Sequence, residues 1–138
     1  MAIFDPGRGV GLRNVGSYQI SGHPFLTGGI LTTGDEVLIP FHFVTKNLTV
    51  HVSGGSGGNE VKYRVHFNAS SDGRVMENNH YWPLTIGDTV TFHTKCRKVF
   101  ITCVDDGGLA DSGFVLAANL TGIGTGSMYH LTGAGLTD

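Results

Sequence analysis

Hydrophobic and polar residues alternate most strictly between Val61 and Phe67. Val61, Tyr63, Val65 and Phe67 fall on one side, and Lys62, Arg64 and His66 on the other. A period of two predicts a half-buried strand. The same logic predicts strands at Thr89–Thr94, with Val90 and Phe92 inward, and at Gly113–Thr121, with Phe114, Leu116, Ala118 and Leu120 inward. Lys98–Val104 is apolar on both faces, as expected of a central strand. Glu36–Val44 reads as a strand bent at Pro40, and Leu48–Val52 as another. With Thr45-Lys46-Asn47 as a tight turn, those two form a hairpin. Phe43 then faces Val50, Phe41 faces Val52, and His42 lies opposite His51 on the outer side. Shorter strands are predicted at Val15–Ile20, Arg74–Met76 and Met128–Leu131.

Turn formers punctuate these runs: Ser53 to Asn59, Ser71-Asp72-Gly73, Ile86-Gly87-Asp88 and Asp105 to Gly108. Short strands at roughly 8–12-residue spacing predict an all-β sandwich or barrel. The fold class read here is all-β: a single antiparallel β-sandwich, jelly-roll or immunoglobulin-like, with extended arms. Residues 1–25 form an N-terminal arm with a short strand, 26–121 the sandwich, and 122–138 a Gly/Thr-rich C-terminal arm. Deleting 122–138 is expected to leave the sandwich folded.

Composition agrees. The 138 residues include 22 Gly and 14 Thr, both poor in helix interiors. Leu, Ile, Val and Phe make up about 28%, enough to build a core. Charged residues are 14% and the net charge is −2, which argues against capture of nucleic acid or an anionic membrane. No run approaches the length of a membrane-spanning helix. The opening residues lack the basic and apolar regions of a secretory signal, and Cys96 and Cys103 are expected as reduced thiols of a cytosolic product.

Candidate chemistry is sparse. His42 and His51, with His66 or His93 as a third ligand, would begin a metal site, but no HxH or HExxH spacing is present. Asp105-Asp106 reads as a solvated loop rather than a carboxylate pair. Gly54 to Gly58 lacks the Lys-Ser/Thr of a phosphate loop. Cys103 reads as a small core residue, whereas Lys95 and Arg97 flank Cys96 and are expected to lower its pKa. No catalytic, cofactor or metal residue is assigned, and the protein is expected not to be an enzyme.

Two resemblances add to this reading. His66-Phe67-Asn68 followed by Trp82 resembles the galectin carbohydrate site, in which a sugar bonds to His and Asn and stacks on Trp. The family's Pro-Arg after the Asn is replaced by Ala69-Ser70, and Pro83 follows Trp82. This implies possible carbohydrate contact at His66, Asn68, Arg74 and Trp82.

Three segments together resemble small virion structural proteins of tailed bacteriophages, especially marine cyanophages. They are Phe4-Asp5-Pro6-Gly7-Arg8 with Arg13 to Gly22, then Val65 to Gly73, then the closing stretch from Thr121-Gly122 to Leu131 and on to Thr137. The resemblance implies a non-enzymatic capsid decoration or cement protein, located in the virion after synthesis in the bacterial cytoplasm. Its partners would be the major capsid protein or other virion subunits, within a homo-oligomer. A carbohydrate-binding module on the particle or a fibre is the alternative, and a tail, collar or vertex component a second.

Overall fold

Among the described residues, patterning sets eight strands: β1 (His23–Ile30), β2 (Glu36–Pro40), β3 (Phe43–Ser53), β4 (Lys62–His66), β5 (Trp82–Leu84), β6 (Thr89–Phe92), β7 (Lys98–Asp105) and β8 (Gly113–Gly124). They belong to a computed structural model that describes residues 23–54, 61–69, 79–107, 112–129 and 131. The strands predicted at Val15–Ile20 and Arg74–Met76 lie outside the described residues, as do 1–22 of the N-terminal arm and 130 and 132–138 of the C-terminal arm.

The strands form two four-stranded antiparallel sheets, ordered β1-β8-β3-β6 and β2-β7-β4-β5. They are called here the β1 sheet and the β2 sheet. The pairing is nested: β1 with β8, β2 with β7, β3 with β6 and β4 with β5. One long hairpin, rolled so that its strands fall alternately into two sheets, gives this order. It is the eight-stranded jelly roll, which decides between the two sandwiches left open by the sequence.

Inward residues of both sheets fill the space between them. Leu48, Val50 and Val52 of β3 and Leu116 of β8 meet Tyr63 and Val65 of β4 and Val99 and Ile101 of β7, all buried. β7 is central in its sheet, and β8 presents Phe114, Leu116, Ala118 and Leu120 inward, as their patterns predict. The turn at Ile86-Gly87-Asp88 is also present. Gly87 has φ of 87°, open to glycine without strain, and Asp88 accepts a hydrogen bond from the Thr85 amide at 3.0 Å.

Three expectations need correction. Glu36–Val44 and Leu48–Val52 are not a hairpin. β2 ends at Pro40, the chain crosses between sheets at Phe41-His42, and β3 begins at Phe43. Thr45-Lys46-Asn47 lies inside β3, where irregular pairing with β8 bends the strand. Thr45 is buried and its hydroxyl bonds to the Thr94 carbonyl at 2.8 Å, so these residues anchor the strand instead of turning it.

Second, the sandwich does not stop at Thr121. β8 continues to Gly124, and Ile123 packs with Val44 and Met128 in a small second cluster. Third, Thr125–Ser127 is a 3-10 turn that leads to Met128, in place of the start of a strand over 128–131. Its Thr125 amide donates to the His42 carbonyl at 3.1 Å. Deleting 122–138 would therefore remove the end of β8 together with the buried Ile123 and Met128.

Candidate functional site

β4 carries the residue that the sequence singled out most strongly. His66 points away from the core yet is only 1% exposed. Its ring lies flat against Phe100, with centroids 5.7 Å apart. Nδ1 donates to the Asn68 carbonyl at 2.6 Å, which has no proton to offer in return. Nε2 sits 2.7 Å from the Thr102 hydroxyl and 3.4 Å from Glu36 Oε1. Thr102 also lies 3.0 Å from that carboxylate oxygen. The hydroxyl has one proton and two acceptors in reach when the ring is neutral. A protonated ring satisfies every member at once, by donating to Thr102 while Thr102 donates to Glu36.

Burial pushes the His66 pKa below its ordinary value; the Asn68 carbonyl and the Glu36 charge pull it back less strongly, and Arg64 reinforces the lowering. The contacts of His66 with Thr102 and Glu36 tie β4, β7 and β2 together.

The four residues of the carbohydrate resemblance do not converge. His66 is enclosed and its ring nitrogens are engaged. Asn68 is half-buried, and its Nδ2 is buried without a hydrogen-bond partner among the described residues. Arg74 lies outside the described residues. Trp82 is 53% exposed and pairs in register with Val65, on the inward side, where its ring meets Phe92 edge-on at 6.5 Å. His66 and Trp82 therefore occupy opposite faces of the β2 sheet, and one sugar ring cannot span them.

A different feature lies close by. An open groove of about 320 Å³ follows β4 and β5, lined by Lys62, Arg64, Tyr81, Pro83 and Asp88 among others. The Arg64 guanidinium stands over the Tyr81 ring, 4.1 Å from its centre. Sequence reading missed it because Tyr81 lies in an irregular segment and its contact with Arg64 depends on the pairing of β4 with β5.

The histidines weighed as metal ligands are not brought together. His42 lies in the crossover between the sheets, and His51 lies on β3 with Nδ1 2.7 Å from the Thr89 hydroxyl. His93 follows β6 and His66 is in the other sheet. Among the described residues no group of three His, Cys, Asp or Glu side chains is placed to hold a metal.

Asp105 ends β7 and Asp106 leads into the turn at Gly107: Asp105 Oδ1 accepts from the Gly107 amide at 2.9 Å, and the Asp106 amide donates to Thr33 Oγ1 at 3.1 Å. Cys96 corrects its expectation. It is fully buried, and burial raises its thiol to about 11; the hydrogen bond with Thr45 opposes this only in part. The flanking cations do not set its acidity. Cys103 is buried as read.

No family model and no curated protein matches the chain. Among solved structures, it resembles a cobalt(II) form of HppE in complex with Tris buffer, with a TM-score of 0.39 and 15% identity. That match covers 70% of this chain and 44% of the other, so this chain spans under half of that protein. It also resembles a Yersinia pseudotuberculosis-derived mitogen, with a TM-score of 0.40 and 10% identity, covering 72% of this chain and 87% of that one. Likeness at this level carries no activity over.

Proposed function

We propose that this jelly roll is a non-enzymatic structural component of a tailed-phage particle, best read as a capsid decoration or cement protein. The supporting observation is how its reactive groups are used. Both thiols are buried, the Tyr63 hydroxyl reaches the Leu31 carbonyl at 3.3 Å, and His66 is held in a structural chain. Apolar side chains pack the space between the sheets. Such a body suits a subunit that works through its surfaces, and capsid and lectin domains share the architecture. The three-segment resemblance to virion proteins supports the same reading.

Mass spectrometry of purified virions tests it. Recovery as a stoichiometric component is expected, with hundreds of copies on the head for decoration. A handful of copies would mean a tail, collar or vertex part. Absence from virions overturns the reading.

A glycan-binding role is the second reading, favoured by the exposed Trp82 and by the groove beside Tyr81 and Arg64. Binding on a glycan array, lost in Trp82→Ala or Tyr81→Ala, would establish it. An array without signal would remove it.

A further inference from the structure

The two outer faces of the sandwich differ in charge. Register places Glu36, Lys98, Lys62 and Arg64 on the outer face of the β2 sheet. Among the described residues, and apart from Lys46 in the irregular stretch of β3, the outer face of the β1 sheet has none. Its rows read Leu26, Ala117, Thr49, Thr91 and then Gly28, Val115, His51, Thr89, flanked by Pro24, Asn119, Asn47 and by Ile30, Gly113, Ser53. Its polar members bond to one another within the sheet. Asn119 donates to Asn47 at 3.0 Å, and the Thr49 and Thr91 hydroxyls are 2.9 Å apart. Three apolar side chains stand out from the β1–β8 side: Leu26 at 75% exposure, Ile30 at 63% and Val115 at 41%.

The glycines give this corner its relief. A Cβ at Gly28 would lie 2.6 Å from the Phe114 carbonyl oxygen, and one at Gly113 would lie 2.5 Å from that of Gly29. The strands approach too closely there for a side chain. Leu26 and Ile30 therefore project on either side of a bare stretch, so one patch carries both knobs and hollows.

We infer that the outer face of the β1 sheet binds a second copy of this chain, through a two-fold contact centred on Leu26, Ile30 and Val115. The inference rests on the structural reading above and names its self-association surface. Three observations favour a second copy over another partner. In a two-fold interface a patch meets itself, so any charge meets its like near the axis, and the paired rows around Leu26, Ile30 and Val115 carry none among the described residues. The same patch supplies projections and the gaps to receive them. Four strands spaced about 4.8 Å, with some eight residues rising about 3.4 Å each, give a face of roughly 500 Å² per copy. Two copies would bury roughly 1,000 Å², the lower bound for a specific interface.

Sedimentation equilibrium of the full chain tests this. Wild-type protein is expected to associate into dimers or a higher assembly containing them. Leu26→Glu and Val115→Glu should each weaken association at least roughly tenfold, since a two-fold contact counts each change twice. Both sites are exposed, so circular dichroism should not change, and any fall in the thermal midpoint should appear only at concentrations where the wild type is associated. Leu38→Glu, exposed on the other sheet, should associate like wild type. A monomeric wild type, or loss of association in Leu38→Glu with none in the other two, overturns the inference. Neither result touches the virion reading, which stands or falls on the composition of particles. A chain found in virions yet monomeric in solution separates the two.

Discussion

At the residue scale, alternation predicted which way a side chain points but not what covers it. His66 was read as an outward, available ligand because Lys62 and Arg64 share its side. The structure agrees on direction, but Phe100 stacks on the ring and Thr102 and Glu36 close over its Nε2 edge. Phe100 also faces outward and is also buried, and no one-strand pattern reports a neighbour across the sheet.

The lowered pKa of His66 fixes a sign. The unfolded chain takes up this proton near pH 6.5 and the folded chain only at lower pH. Stability contributed by the neutral ring is therefore present above about pH 6.5 and declines as pH falls toward the folded value, below which it levels off. Urea denaturation across pH 4–8 should show this decline, and His66→Gln should flatten that part of the profile. Glu36→Gln removes a charge that raises the ring's pKa, so an NMR titration of the imidazole should find it lower still. The two thiols give a simpler expectation. Cys96 and Cys103 should resist alkylation in the native protein and react once it is unfolded in urea.

At the element scale, the strands legible in the sequence were those with one wet and one dry face or with two dry faces. β4, β6, β7 and β8 are of this kind. β1 was not legible because it is an edge strand in which Gly28 and Gly29 interrupt alternation and six of its eight residues are exposed. β5 has only three residues, too few to show a period. The false hairpin between β2 and β3 has a specific cause. Alternation continues through Phe41 and Phe43 while the chain changes sheets, so pattern alone joins segments that topology separates.

The close approach of β1 to β8 makes its glycines sensitive. Gly28→Ala and Gly113→Ala should each cost about 1–3 kcal/mol as the strands are forced apart, read from the midpoint of a urea transition. Gly122→Ala, whose added Cβ would meet nothing within 4 Å, should cost much less.

At the scale of the whole molecule, the two-sheet architecture was legible because period-2 runs with turns between them leave few alternatives. Strand order was not, because it depends on which distant runs pair. The candidate site was legible only as residue types. Placing His66 and Trp82 on opposite faces required the register of β4 with β5. Core packing sets a further expectation: Leu116→Ala, in the middle of β8 and fully buried, should lose about 2–5 kcal/mol in the same denaturation assay. The nested pairing also bears on the order of assembly. β8 lies between β1 and β3, and His23 waits for Leu120, so β8, made after the other seven described strands, bridges two made much earlier. A nascent chain halted before Gly113 would lack the keystone of that layer and expose its unpaired flanks to protease and chaperone, and closure would be a slow, late, all-or-none event.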